Sequence, residues 1–73
     1  MSLHLERQID RLKQMILSVG TLVEEAVQGG IRAVETRDPK LAEQVIQGDS
    51  KIDLIEIDVE EECLHTLALY QPV

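Results

Sequence analysis

The sequence predicts an all-α protein, an antiparallel hairpin of two long helices. Three observations lead to this fold class. Aliphatic or small residues recur in steps of three and four along both halves of the chain, one Asp-Pro pair interrupts them, and no segment has the pattern of a strand. The 73 residues suffice for one domain at most. With one tyrosine and no tryptophan or phenylalanine, its core has to be aliphatic.

The first helix is predicted over residues of about 3–36. A heptad seam in steps of four and three runs along it, and further aliphatic residues beside the seam widen the apolar stripe, so we expect contacts with more than one neighbouring helix. Three glycines lie within this span; each costs about 1 kcal/mol relative to alanine, and we expect them to permit the close approach of another helix, with local flexibility as the alternative. The seam consists of Leu5, Ile9, Leu12, Ile16, Val19, Val23, Ala26, Gly30 and Ala33. The flanking residues are Met15, Leu22, Val27, Ile31 and Val34, and the glycines are Gly20, Gly29 and Gly30.

The segment "TRDPK" separates the two helices. Pro39 disfavours helical geometry at Asp38, while an aspartate is a good N-cap and a proline fits the first helical position. The second helix is therefore predicted over residues of about 39–70, ending before Pro72, and the short connection makes the two helices antiparallel. Its seam consists of Leu41, Val45, Gly48, Ile52, Ile55 and Val59, and apolar character continues through Cys63, Leu64, Leu67 and Ala68.

A chain this short needs help to be stable, because it buries little surface. Cys63 is the only cysteine, so no disulfide can form within the chain, and a metal ion or an oligomer remains. The net charge of −7 argues against nucleic acid and anionic membranes as partners. No apolar run reaches the roughly 18 residues of a membrane span, and the N-terminus has no signal-peptide core, so we expect no membrane insertion and a cytoplasmic location.

An acidic row on the second helix is the candidate functional site. Asp49, Asp53, Glu56 and Glu60 follow one another at steps of four, three and four, which places them on one face beside the seam. Like charges at this spacing repel each other, so the row is hydrated, paired with basic side chains from elsewhere, or bound to a cation, and carboxylates one turn apart can bind metal ions. Lys51 points elsewhere and cannot neutralise the row. The remaining acids of this region, Asp58, Glu61 and Glu62, are expected to face solvent.

A second constellation is the Glu-x-x-His pair of Glu62 and His65, a spacing found in di-iron carboxylate proteins. Such a site needs a glutamate on the facing helix, and a hairpin folded at residues 37–38 puts Glu62 level with residues 13–15, where there is none. We therefore expect His65 to be a surface or interface histidine and Cys63 a buried, inert thiol. No side chains form a nucleophile with its base, so no catalytic residue is predicted and an enzyme is not expected.

The segment "GDSKIDLIEIDVEEECLHTLALYQPV" closely resembles the second helix of the PhoU family of phosphate-transport regulators. That helix has Gly-Asp-x-x-Ile-Asp-x-x-Glu, then an acid three residues before Cys-Leu-x-x-x-Ala, and a final Gln-Pro. The segment "LERQIDRLKQMILSVGTLVEEAVQGGIRAVETRD" is similar to the family's long first helix. The resemblance covers residues 3–73 and rests on many spaced positions at once.

The resemblance implies a PhoU-type three-helix bundle and a non-enzymatic negative regulator that links a phosphate ABC transporter to a sensor histidine kinase. It also implies a metal ion, iron or another divalent cation, held by an acidic motif that Asp49 and Asp53 match directly. Glu56 and Glu60 match further acidic positions of the family. A purely structural helical-bundle interaction module and the PhoU-like domain of a sodium–phosphate transporter are the alternatives.

The sequence departs from the family pattern in its extent. The family's third helix, with its second acidic motif, and the second repeat are absent, so residues 1–73 are expected to form a single partial domain. One helix supplies few metal ligands, so we expect this piece to bind metal weakly or not at all. The uncovered seam predicts that two hairpins associate into a four-helix homodimer, since each large aliphatic side chain newly buried contributes roughly 1.5–3 kcal/mol.

Overall fold

The computed structural model describes residues 3–71, and these residues form two helices and no strand. Helix α1 comprises Leu3–Thr36 and helix α2 comprises Pro39–Leu69. They lie side by side and antiparallel, as a rod with extents of 55 × 15 × 14 Å. The predicted all-α hairpin is confirmed. The predicted stop at Pro72 lies outside the described residues; α2 ends with the Tyr70 N–H donating to the Thr66 carbonyl at 3.0 Å.

The reversal between the helices uses two residues, Arg37 and Asp38. The N–H of Arg37 donates to the Val34 carbonyl at 3.3 Å and the N–H of Asp38 donates to the Ala33 carbonyl at 3.1 Å, which is the Schellman pattern that closes a helix. This pattern requires a left-handed residue, and Arg37 adopts it with φ of 54°. Asp38 then begins α2, because its Oδ1 accepts from the N–H groups of Lys40 and Leu41 at 3.0 and 3.2 Å. One aspartate thus ends α1 and caps α2.

The seam of α1 differs from the predicted one at two of its nine positions. Ile16 and Val23 were predicted to lie in the seam, but they are 53% and 39% exposed. Met15 and Leu22, one residue earlier, are half-buried instead. The other seven predicted seam residues are buried or half-buried, and Met15 and Leu22 fit the same steps of three and four, so the sequence pattern alone did not decide between the two sets. The half-buried or buried residues of α1 are Leu5, Gln8, Ile9, Leu12, Met15, Val19, Leu22, Ala26, Gly29, Gly30 and Ala33.

The seam of α2 continues beyond Val59 through two polar residues. Glu62 is half-buried and Thr66 is only 7% exposed, whereas Leu64 and Leu67 are 57% and 64% exposed. The prediction that Glu62 faces solvent is therefore wrong. The reason is a partner on α1 that the sequence analysis did not identify: the Gln8 amide Nε2 donates to Glu62 Oε2 at 3.0 Å and to Thr66 Oγ1 at 2.9 Å. We refer to Gln8, Glu62 and Thr66 as the polar layer.

Two further contacts complete the polar layer. The Thr66 hydroxyl donates to the Glu62 backbone carbonyl at 2.8 Å, and Arg11 Nη2 lies 3.8 Å from Glu62 Oε1. No buried side-chain nitrogen or oxygen of the described residues lacks a hydrogen-bond partner. A polar pair in the seam is therefore tolerated because its hydrogen-bonding groups are satisfied.

Close approach of the helices depends on one of the glycines. A Cβ at Gly29 would lie 3.1 Å from Val45 Cγ2, and one at Gly30 would lie 3.9 Å from Val45 Cγ1. At Gly20 no atom among the described residues lies within 4 Å of the same position. The predicted use of the glycines in close packing thus applies next to Val45 and not at Gly20.

Alanine substitutions at two glycines test this difference. Gly20→Ala should raise the free energy of unfolding by about 0.5–1 kcal/mol, because alanine favours the helix and its methyl group meets nothing. Gly29→Ala should be at least about 1 kcal/mol less stable than Gly20→Ala, since Val45 has to move. Urea unfolding followed by circular dichroism at one fixed protein concentration measures both. Equal stabilisation by the two substitutions would contradict the packing described here.

The polar layer is tested by a matched pair of glutamine substitutions on α1. Gln8→Ala should lower the free energy of unfolding by about 1–2 kcal/mol, because it removes two hydrogen bonds between the helices. Gln28 is exposed and its amide contacts only Glu24 of its own helix, at 3.4 Å. Gln28→Ala should therefore change the stability by less than about 0.5 kcal/mol. The same urea titration compares them, and an equal effect at both positions is the contrary result.

Candidate metal site and the adjacent groove

The acidic row lies along the outside of α2, with all four carboxylates exposed to solvent. Asp49, Asp53, Glu56 and Glu60 are each exposed. Within residues 3–71 the one ion pair is that of Arg11 with Glu62, so no basic side chain neutralises the row. The helix sets their spacing: Asp49 and Asp53 are one turn apart, and so are Glu56 and Glu60. The row is therefore a line of unpaired negative charge.

The row borders an apolar groove between the two helices. The groove has a volume of about 410 Å³, and its walls are Val23 and Val27 from α1 and Ile46 from α2. These three side chains are 39%, 56% and 71% exposed. Asp49 and Glu56 lie on the α2 wall. We call this cleft the acidic groove. Its complete lining is Val23, Ala26, Val27, Val45, Ile46, Asp49, Ile52 and Glu56.

The opposite side of the hairpin carries a second cleft of similar size, also about 410 Å³. Its floor is aliphatic, but its rim carries both signs of charge, with Glu25 on α1 and Lys51 on α2. Lys51 therefore lies on the other side of α2 from the acidic row, as predicted from its position in the sequence. The two sides of the hairpin consequently differ in charge, and the acidic groove is the negative one.

The described residues do not bring three metal-binding side chains together. No group of three or more histidine, cysteine, aspartate or glutamate side chains within residues 3–71 has a geometry that could hold a metal ion. Asp49 and Glu60 are separated by about 16 Å along the helix at about 1.5 Å per residue, so the row offers pairs of carboxylates and not a closed ligand set. A cation bound at Asp49 and Asp53 would need further oxygen ligands from another helix or from water.

The open end of the hairpin contains the other predicted constellation. Glu62 and His65 border a cleft of about 320 Å³ together with His4, Gln8 and Arg11. Glu62 lies level with Gln8 and Arg11, a few residues from the predicted level at 13–15, and it meets an amide and a guanidinium instead of a carboxylate. The glutamate that a di-iron site requires on the facing helix is therefore not found here among the described residues.

Sequence reasoning missed Gln8 and Thr66, although a signal for them was present. Continuing the α2 seam past Val59 in steps of three and four leads to Glu62 and Thr66, and the α1 residue that faces them across the hairpin is a glutamine.

Cys63, predicted to be buried, is half-buried. It lines a small apolar cleft with Leu5, Ile9 and Leu67. Within residues 3–71, neither helix contains a segment that is long and apolar enough to span a membrane.

Comparison with known proteins identifies a family. The family model described as "PhoU domain" matches residues 16–73. The chain is 38% identical over 66 residues to the phosphate-specific transport system accessory protein PhoU homolog of Aquifex aeolicus, covering 90% of this chain and 30% of that protein. It is 37% identical over 65 residues to the accessory protein PhoU of Serratia marcescens, and 28% identical over 65 residues to that of Escherichia coli. Each of these two matches covers 89% of this chain and 27% of the relative.

The chain thus spans less than a third of the length of these relatives. No solved structure matches it.

Proposed function

Because the chain belongs to the PhoU domain family, we propose that it is a non-enzymatic regulator that couples phosphate uptake to phosphate-starvation signalling in the cytoplasm. The observation that carries this proposal is the family match over residues 16–73. The relatives in Aquifex aeolicus and Serratia marcescens bear the name of accessory proteins of a phosphate-specific transport system. The proposed partners are a phosphate ABC transporter and a sensor histidine kinase.

The surface of the hairpin suits a protein that acts by binding other proteins. Many of its large aliphatic side chains are exposed, among them Val27 at 56% and Ile46 at 71% in the acidic groove. Contiguous exposed apolar surface on a small protein typically marks an interaction site. Regulation through protein contacts needs such surface and needs no catalytic group.

The acidic row is the proposed metal-binding part of this module. We assign Asp49 and Asp53 as ligands for iron or another divalent cation, and Glu56 and Glu60 as additional carboxylates of the same row. Support comes from their exposure to solvent and from the lack of an ion pair with a basic side chain among the described residues, which leaves their oxygens available. Since this row holds only one side of a ligand set, metal binding by the 73-residue chain is expected to be weak.

Self-association of two hairpins through the acidic groove is the second part of the proposal. Burying Val23, Val27 and Ile46 against a second copy removes apolar surface from water, which favours a four-helix homodimer. The same contact brings two acidic rows towards each other, and their repulsion opposes it. A cation shared between the rows would relieve that repulsion and would gain ligands from both copies.

Reporter measurements in the organism that encodes the chain test the regulatory role. Deleting the coding region should raise expression of a phosphate-starvation reporter during growth in high phosphate, because a negative regulator is lost. Reintroducing the wild-type sequence should restore low expression. The variant Val27→Asp/Ile46→Asp should restore it less, since it places charges in the acidic groove. Unchanged reporter expression in the deletion strain would show that this role is wrong.

Light scattering with and without millimolar Mn²⁺ tests the groove and the acidic row together. The wild-type chain should associate towards twice its monomer mass, and Mn²⁺ should strengthen the association. Asp49→Asn/Asp53→Asn should associate more strongly without metal, because repulsion is reduced, and should not respond to Mn²⁺. The control Glu6→Gln/Asp10→Asn removes two exposed charges four residues apart on α1 and should behave as wild type.

Two results would contradict these proposals separately. A monomer at every concentration would exclude self-association of this chain. An equal Mn²⁺ response of all three proteins would exclude Asp49 and Asp53 as the ligands responsible for that response.

A further inference from the structure

A second exposed apolar surface lies on the side of α2 that faces away from α1. Leu54, Ile57 and Leu64 are 64%, 49% and 57% exposed. Their positions differ by three and seven, so they form one stripe about 15 Å long at about 1.5 Å per residue. The seam residues Ile52 and Ile55 turn towards α1. The outer stripe, as we call Leu54, Ile57 and Leu64, therefore belongs neither to the hairpin seam nor to the acidic groove.

The part of α2 that carries the outer stripe has polar residues on its opposite, inward side. In the same part of the helix, the side turned towards α1 carries Glu62 and Thr66, which need hydrogen bonds from Gln8 to be accommodated. A half-turn of α2 that buried the outer stripe would expose Ile52 and Ile55 and would break the polar layer. The aliphatic seam and the polar layer therefore both keep the outer stripe on the surface.

Carboxylates surround the outer stripe. Glu60 and Glu61 are each three or four residues from both Ile57 and Leu64, and Asp58 is four residues from Leu54, so they are neighbours of the stripe on the helix surface. All three are exposed and none has a basic group within 4 Å among the described residues. Lys51, three residues before Leu54, is the nearest basic residue of this surface along α2. The rim of the stripe is therefore strongly negative.

From this combination we propose that the outer stripe binds an amphipathic helix of a partner protein that carries leucine-like side chains along one face and lysine or arginine on both sides of them. The aliphatic face fills the stripe with the usual spacing of three and four, and the basic rims pair with Glu60, Glu61 and Asp58. A second copy that presented its own outer stripe would oppose carboxylates to carboxylates, and an anionic membrane surface would be repelled in the same way. This surface shares Glu60 with the acidic row but shares no residue with the lining of the acidic groove, so the proposal does not depend on self-association through that groove.

A synthetic peptide of defined chemistry tests the occupant. The probe is a helical peptide of about 20 residues with leucine in steps of three and four and with lysine and arginine on both flanks. Fluorescence anisotropy should detect its binding to the 73-residue chain, weakening as NaCl is raised. A second peptide with the same leucines and with glutamate on its flanks should bind at least about tenfold more weakly. Equal binding of the two peptides would overturn the proposal.

Variants of the chain locate the binding site. Ile57→Ser/Leu64→Ser should weaken binding of the basic peptide about tenfold or more, because it removes the buried aliphatic contacts. The matched control Val27→Ser/Ile46→Ser changes two aliphatic residues in the acidic groove that are at least as exposed, and it should bind within about twofold of wild type. The reverse pattern, with loss only in the groove variant, would place the peptide in the acidic groove and overturn the proposal.

A charge variant keeps the test decisive if a serine variant folds poorly. Glu60→Lys/Glu61→Lys leaves the aliphatic side chains in place and should weaken binding of the basic peptide and strengthen binding of the glutamate peptide. Circular dichroism confirms the helical content of each variant before binding is measured. An unchanged preference for the basic peptide in this variant would also overturn the proposal.

Discussion

The reversal at Arg37 and Asp38 is the constraint on which the rest of the molecule depends. Because it uses two residues, it fixes which residue of α1 lies opposite which residue of α2 along the whole rod. Gly29 meets Val45 near the turn, and Gln8 meets Glu62 and Thr66 at the far end, in the same alignment. The reversal holds although Arg37 is in the left-handed region, where a non-glycine residue costs about 1–2 kcal/mol. Asp38 offsets part of that cost by capping α2.

The chain has more aliphatic surface than two helices can cover. Only Ala33 and Ile52 among the described hydrophobic residues are buried, and large aliphatic side chains remain exposed on several faces of both helices. Apolar burial therefore limits the rotation of each helix only loosely. The polar layer restricts the rotation of the two helices further, because the strength of a hydrogen bond depends on its angles and distance more sharply than an apolar contact does. In the observed rotation of α2, one amide group of Gln8 donates to both Glu62 and Thr66.

The exposed faces of the hairpin differ in the charged side chains that border them. The acidic groove has its carboxylates on one wall, the opposite cleft has Glu25 and Lys51 on its rim, and the outer stripe is surrounded by acids. Covering any of these faces removes water from charged groups, so an occupant has to bring the complementary charge or a cation. Such faces select between possible occupants by charge as well as by shape.

Local features of the sequence are enough to predict the two helices, the turn and the acidic row. Periodicity, the Asp-Pro pair and the spacing of Asp49 and Asp53 are local features, and local rules of helix geometry are enough to interpret them. The motifs of α2 also resemble the PhoU family, and the family match over residues 16–73 confirms that resemblance. Tertiary structure alone decided that Met15 and Leu22, and not Ile16 and Val23, lie in the seam, and that Glu62 is half-buried beside Gln8. Both outcomes depend on the rotation of one helix against the other, which is set by contacts between residues more than 50 positions apart and leaves the local pattern unchanged.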